Sequence, residues 1–281
     1  MSARKLSPGA VSTYLLATTA VLLFLFPIYW LIRTGGLSIP EIYSFRIYWV
    51  PDAIGNYLDV WGVPGLPAAY LHSLVVSTVS TIATILIAVP VAFSLARLYS
   101  RVSSRRFLDS LLVAIALPPI VLIIPFYILM SNLGLVDTIP GLILADMVFN
   151  LPFSIWLIYS FFRDLPVAIE ESGMIDGCSR LGAFGRLSLP LARTGLAIAS
   201  TLVFITTWNE FLFALVLTRK DAITAPIAII NLVLGGGAGG NPASWGLASA
   251  AGVWFMIPAV VLGVFLNKYL AKALTLGAVK E

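Results

Sequence analysis

Between Val60 and Ala96 the chain carries no Asp, Glu, Lys or Arg, and the rest of the sequence repeats the pattern. Leu6 to Ile32 and Ser110 to Val136 are uncharged. Thr138 to Phe162 holds only Asp146, and Thr194 to Thr218 only Glu210. Ala222 to Asn267 is uncharged too, but Gly235-Gly236-Gly237-Ala238-Gly239-Gly240-Asn241-Pro242 divides it. A helix of roughly 20 apolar residues crosses a bilayer core. The gaps therefore predict an all-α membrane protein with six transmembrane helices, at about 12–33, 70–96, 109–131, 139–162, 194–217 and 245–267. Charged residues make up 11% of the chain, against about a quarter in soluble domains. That excludes a cytosolic enzyme and a disordered chain. One cysteine, Cys178, and one histidine, His72, argue against a disulfide framework, a zinc site and histidine-based catalysis.

The cations set an orientation. Arg4 and Lys5 precede the first span. Arg97, Arg101, Arg105 and Arg106 lie between the second and third, and Arg163, Arg180, Arg186 and Arg193 between the fourth and fifth. Lys268, Lys272 and Lys280 follow the sixth. These are 13 of the 17 Lys and Arg residues; Arg33, Arg46, Arg219 and Lys220 fall on the other side. Positive charge stays in the cytoplasm, so both termini are predicted there. The net charge of +4 then marks cytoplasmic loops rather than nucleic-acid binding. The apolar run after Lys5 is too long for a signal-peptide core and reads as an uncleaved first helix. The chain reads as one transmembrane domain over 1–281, with a cytoplasmic loop at 163–193 and external loops at 34–69 and 218–244. No Lys is followed by Ser or Thr and no Gly-Lys pair occurs, so the phosphate-binding loop of nucleotide hydrolases is missing.

The loop 163–193 carries more pattern than a connector needs. Pro166 suits the start of a short helix, and Glu170 and Glu171 fall in its first turn, where the helix dipole favours anions. Gly177 is placed to end it with a positive φ. Ser179 can cap a second short helix, and Pro190 closes that one. Apolar Ile169, Met174, Ile175, Leu181 and Phe184 favour a docked partner over an anionic lipid surface, given Glu170, Glu171 and Asp176 beside them.

This segment resembles the Glu-Ala-Ala signature of ATP-binding-cassette importer permeases. Glu171-Ser172-Gly173 stands for Glu-Ala-Ala, Gly177 follows at the family spacing, and Leu187-Ser188-Leu189-Pro190 ends the motif. Leu117-Pro118-Pro119, Ile124-Pro125-Phe126-Tyr127, Leu133-Gly134-Leu135-Val136-Asp137-Thr138, Leu151-Pro152-Phe153, Trp208-Asn209-Glu210-Phe211 and the tail from Leu274 to Lys280 are similar to the smaller, G-type subunit of the maltose/trehalose sugar permeases. The resemblance implies a type I importer permease fold in the cell membrane, bathed in lipid. It implies a second permease subunit, two copies of an ATPase, an external solute-binding protein and a sugar substrate. ATP and magnesium would bind the partner ATPase, with no cofactor in this chain. The residues expected to couple to the ATPase are Glu170, Glu171, Gly173, Asp176, Gly177, Leu189 and Pro190, with Glu171 facing a basic groove.

Polar groups inside spans face a cavity or a partner. Asp146, Asn150, Trp156, Trp208, Asn209 and Glu210 are therefore candidates for a translocation path, with hydrogen bonding between helices as the alternative for Asn150 and Glu210. Pro118, Pro119, Pro125 and Pro152 are expected to kink the third and fourth spans. The loop residues Gly235, Gly236, Gly237, Gly239, Gly240 and Asn241 are either a linker or, by the resemblance, a segment that reaches into the binding protein. Two other functions compete: a permease for a non-sugar solute, and a membrane-embedded enzyme, for which the sequence offers no convergent set of catalytic groups.

The orientation is testable in a Cys178→Ser background. Cysteines at Ala53 and Asn241 should react with an impermeant thiol reagent from outside, and cysteines at Ser103 and Ser179 only from inside. External labelling at Ser103 would overturn the six-helix topology.

Overall fold

The computed structural model describes residues 8–44, 54–235 and 245–277. Every regular element among them is helical. In chain order these are α1 (Pro8–Gly35), α2 (Ile39–Ile42), α3 (Gly55–Asp59) with a 3-10 turn at Val60–Gly62, α4 (Leu66–Arg97), α5 (Arg101–Ala116), α6 (Pro119–Asn132) and α7 (Ile139–Asp164). They continue as α8 (Ala168–Ile175), α9 (Arg180–Ala183), a π-turn at Phe184–Ser188, α10 (Leu189–Leu191), α11 (Arg193–Trp208), α12 (Leu212–Leu217), α13 (Ala225–Leu234) and α14 (Trp245–Gly277).

Four stretches are long and apolar enough to cross a membrane alone: Ser12–Gly35, Leu66–Arg97, Ile139–Asp164 and Trp245–Asn267. They match four of the predicted spans. The other two predicted spans are not single helices. The third, 109–131, breaks between α5 and α6, which meet at 91°. Leu117 and Pro118 are extended, with ψ of 121° and 127°. Each precedes a proline, whose ring clashes with a helical residue before it. Pro119 then opens α6, where its missing N–H is not needed. Pro125 and Pro152 lie inside continuous helices. The fifth, 194–217, ends as α11 at Trp208 and resumes as α12 at Leu212.

The chain divides into two compact units, Met1–Pro67 with Ala228–Met256, and Ala68–Ile227 with Ile257–Glu281. In the first, the segment after α1 is built around close backbone approach. A Cβ on Gly35 would lie 2.8 Å from the Tyr57 hydroxyl and 3.0 Å from the Ala250 nitrogen. Asn56 donates to the carbonyls of Gly35 and Leu37. Trp254 donates to the Tyr57 carbonyl at 2.9 Å and meets Trp61 edge-on. Along α1, Leu16, Leu23 and Phe24 stay exposed, as an apolar surface facing lipid or another chain would.

The second unit has two apolar clusters. One joins Ala88, Ala92 and Leu95 of α4 to Leu108 of α5, Ile155, Ile158 and Phe162 of α7, and Ala199 of α11. The other joins Val76 of α4 to Met130 of α6, Leu142 and Ala145 of α7, and Phe213, Ala214 and Leu217 of α12. Gly195 lets α11 lie against Phe161 where any Cβ would overlap the ring.

The two helix ends at the α6–α7 junction are closed by local capping. Gly134 (φ +69°) ends α6 in a Schellman motif: Leu135 N–H donates to the Met130 carbonyl at 2.9 Å and Gly134 N–H to Ser131 at 3.1 Å. Thr138 caps α7, its hydroxyl accepting from Gly141 N–H at 3.1 Å. Between them Asp137, at φ 58°, turns its carboxylate onto the N–H groups of Arg219, Lys220, Asp221 and Ala222, at 2.9, 3.0, 3.1 and 3.1 Å. This ties the α6–α7 turn to the turn after α12.

Burial raises the Asp137 carboxyl, but these four backbone donors outweigh it and hold the pKa below the ordinary carboxylate value. A depressed pKa stabilises the folded state above the unfolded value and loses that stabilisation as pH falls through the folded one. Asp137→Asn should therefore lower the melting temperature at pH 7, by an effect of about 1–2 kcal/mol. The gap between variant and wild type should close below about pH 4, near the ordinary carboxylate range. An unchanged gap from pH 7 to pH 3 would refute the clamp.

Candidate functional site

The two clusters are separated by a polar layer on three helices. On α4 it comprises Ser77, Ser80, Thr81 and Thr84, on α7 Asp146, Asn150 and Ser154, and on α11 and the break after it Thr206, Thr207 and Glu210. Most of the hydroxyl groups return a hydrogen bond to their own helix. Thr81 donates to Ser77, Ser154 to Asn150 and Thr207 to Val203, at 2.6, 2.8 and 2.9 Å. This keeps them satisfied without water. Thr84 Oγ1 and Thr224 Oγ1 are buried without a partner.

Asp146 is 4% exposed. It lines, with Glu210, Ser73, Thr207 and Thr224, a polar space of about 10 Å³ closed by Val76 and Leu142. That is room for about one water molecule. Spacing had placed Asp146 and Asn150 on one face of α7, and only the fold brings Glu210 to Asp146. Asn150 is held by its neighbours: its amide donates to the Asp146 carbonyl and its oxygen accepts from Thr206, both at 2.8 Å.

Glu210 has a structural task as well. α11 stops at Trp208, and the fresh N-terminus of α12 would leave free N–H groups. The Glu210 carboxylate accepts from Phe213 N–H at 2.6 Å and Ala214 N–H at 3.0 Å. It caps the second half of the span while lining the polar space. The remaining candidates separate. Trp208 is 3% exposed and stacks on Phe204, Asn209 is exposed and bonds back to Ile205 at 2.8 Å, and Trp156 is exposed. His72 Nδ1 meets the Ile223 carbonyl at 2.9 Å. Of the glycine-rich loop, Gly235 (φ +75°) ends α13; Gly236, Gly237, Gly239, Gly240 and Asn241 lie outside the described residues.

The loop 163–193 forms the expected first short helix, α8, but the expected second one is divided into α9, a π-turn and α10. Pro190 opens α10 instead of closing the second helix, since a proline fits the first turn of a helix, where its missing N–H is not needed. Gly177 has φ +90° and closes a second Schellman motif, with Cys178 N–H on the Gly173 carbonyl and Gly177 N–H on Met174, at 3.0 and 3.1 Å. Ser179 caps α9 through Gly182 N–H at 3.1 Å. Gly173 is buried, and a Cβ there would overlap the side chain of Leu187. The small residue therefore lets α8 lie flat on the segment that ends the motif. The two glutamates part company. Glu171 and Asp176 are exposed. Glu170 turns inward, where Arg97 Nε and Ser188 Oγ donate to its Oε1 at 2.8 and 2.7 Å. Leu189 packs beside the first apolar cluster, and Pro190 is exposed in the first turn of α10. Sequence reasoning missed Arg97 and Ser188 as partners of this loop and Asp137 as a clamp. Arg97 read only as one of a run of cytoplasmic cations, and nothing in its neighbours distinguishes it.

Comparison with known proteins bears on both sites. The family described as binding-protein-dependent transport system inner membrane component matches residues 88–276, which include α5 to α13 and the whole 163–193 loop. The chain is 33% identical to the sulfoquinovosyl glycerol transport system permease protein SmoH of Agrobacterium fabrum, over 100% of both chains. It is 31% identical to the trehalose transport system permease protein SugB of Mycobacterium tuberculosis, again over 100% of both. Its fold is that of a chain in the crystal structure of a bacterial ABC transporter involved in the import of the acidic polysaccharide alginate. The TM-score is 0.78 at 22% identity, covering 95% of this chain and 99% of that one. With the match covering well over half of its length, this multi-pass membrane protein belongs to the binding-protein-dependent transport system inner membrane component family.

Proposed function

We propose that the chain is the transmembrane subunit of an ATP-driven carbohydrate importer. It forms half of a translocation path with a second permease subunit, receives solute from an external binding protein, and is driven by two copies of an ATPase that bind ATP and magnesium. One observation carries the coupling half of this reading. The knob formed by α8 and α9 presents Ile175 and Leu181 at 86% and 82% exposure, on a rigid glycine elbow rimmed by exposed Glu171 and Asp176. Apolar anchors beside exposed Glu171 and Asp176 suit a groove with basic groups on a soluble protein. Glu171, Asp176, Gly177 and Pro190 form or shape that surface. Glu170, Gly173 and Leu189 hold it from behind.

The carbohydrate half rests on the relatives' names and on the polar layer. Hydroxyl, amide and carboxylate groups at mid-span provide weak, exchangeable hydrogen bonds of the kind a sugar's hydroxyls use. The two relatives above match equally well and are named for different solutes, so the reading is a class of substrate. We assign the glycine-rich loop at Gly235 to Asn241 to contact with the binding protein, where small residues allow close backbone approach.

Glu171→Lys sets like charge against the groove, at about 3 kcal/mol or roughly a hundredfold in affinity. It should reach the membrane but fail to co-purify the ATPase. Gly173→Leu should do the same by lifting α8 off Leu187. Uptake by wild-type proteoliposomes, scored with radiolabelled trehalose, maltose and glycosyl glycerols, names the solute; undiminished uptake by Glu171→Lys would refute the docking surface. Shortening Gly235–Gly240 to two glycines should leave assembly and basal ATPase activity intact and cut stimulation by loaded binding protein severalfold. Full stimulation would make the loop a linker.

A further inference from the structure

The coupling loop joins α7 to α11 in the sequence, and those two helices are its obvious mechanical neighbours. The side chains add a third. Arg97, the last residue of α4, is buried against the loop: its side chain is 7% exposed and that of Glu170 10%. Arg97 Nε donates to Glu170 Oε1 at 2.8 Å, and Arg97 Nη2 donates to the Leu165 carbonyl at 3.0 Å. Ser188, on the far side of the elbow, donates to the same Glu170 oxygen at 2.7 Å. The guanidinium thus holds the entrance to the loop and α8, and the Glu170 carboxylate ties α8 to the π-turn. A guanidinium presents its donors in a fixed fork, so a joint with two acceptors transmits orientation as well as position.

The other end of α4 reaches the polar space. Ser73 and Val76 line it beside Asp146 and Glu210. Ser73 Oγ also accepts from Ala225 N–H at 2.9 Å, and Ser80 donates to the Ile143 carbonyl of α7. Between Ser73 and Arg97 α4 is one continuous helix, about 36 Å long at 1.5 Å per residue. Near its inner end Ser104 of α5 donates to the Leu95 carbonyl at 2.7 Å. α4 is therefore tied to its neighbours at Ser73 and Ser80 beside the polar space and at Leu95 and Arg97 beside the loop.

We infer that Arg97, Glu170 and Ser188 form a positioning joint that makes α4 the rod carrying movement of the coupling loop to the intramembrane polar space. This rests on the docking of the loop to an ATPase. The joint touches neither nucleotide nor solute. A helix coupled only through the chain ends of the loop would leave α4 still when the loop moves; a buried ion pair with a shared acceptor forces the two to shift together.

Amide hydrogen exchange on the assembled permease–ATPase complex in nanodiscs tests this, with and without Mg·ATP and vanadate. The wild type is compared with Arg97→Lys and with the double variant Arg97→Met, Glu170→Met. Lysine keeps the charge but loses the two-acceptor fork. The double variant replaces a buried pair by apolar residues of similar length, an exchange that buried pairs often tolerate. In the wild type, nucleotide should alter exchange in residues 168–178 and also in residues 90–98. In Arg97→Lys 168–178 should respond as before, and in both variants the response of 90–98 should fall at least threefold relative to that of 168–178. An equal response of 90–98 in Arg97→Lys, or none in the wild type, overturns the inference. Should the double variant not assemble, Arg97→Lys alone decides. No wild-type response at 168–178 is a different result: it refutes the docking of the loop, and the inference with it.

Discussion

Inside a bilayer no water is available to satisfy a free backbone N–H or carbonyl, so a helix that stops there must carry its own partners. This chain breaks two of its predicted spans, and the residues around the breaks follow from that requirement. Where α11 gives way to α12, Glu210 supplies a carboxylate to the new N–H groups. The same accounting holds in the turn between spans, where Gly134 and Thr138 close the ends of α6 and α7 and Asp137 gathers four donors from the neighbouring turn. Where α5 meets α6, Pro118 and Pro119 have no N–H to satisfy. The motifs that mark the family in sequence are largely these break points, which makes them requirements of backbone accounting first.

The breaks also place the polar layer. Because α11 stops early, Glu210 falls beside Asp146 instead of a further turn along a straight span, and Thr207 and Thr224 join them. Apolar clusters close the layer on either side, the aromatic groups Phe93–Phe162–Phe184 and Phe126–Phe149–Phe213 each packing edge-on or tilted. A layer whose hydroxyl groups are mostly satisfied by their own helices is stable when closed in this way. The connection from α4 to the coupling loop gives movement of the loop a physical route to it.

The coupling loop illustrates how two adjacent identical residues acquire opposite tasks. Glu170 and Glu171 are neighbours on a helix, so they point about 100° apart. Once Gly173 seats α8 on Leu187, one must face the protein and the other must leave it. The inward glutamate finds Arg97 and Ser188, and the outward one becomes part of a surface.

Much was determined by the sequence alone. Charge-free runs mark the long apolar helices because burying a charge in lipid is so unfavourable. The elbow at Gly177, the cap at Ser179 and the extended turn before Pro119 follow from local sterics and hydrogen bonding over a few residues, which is why they were legible. The third span bends where its prolines were expected to kink it, the fourth runs on through Pro152 as one helix, and the break in the fifth span was not foreseen, because apolar composition reports burial and says little about helix continuity. What only the tertiary structure decided are the contacts between residues far apart in the chain: Asp137 with residues 219–222, Asp146 with Glu210, Arg97 with Glu170 and Ser188. Each joins groups that look ordinary in their own segments. Their pairing depends on how helices pack through apolar and glycine contacts, and packing geometry is a property of the assembled helices that no local pattern encodes.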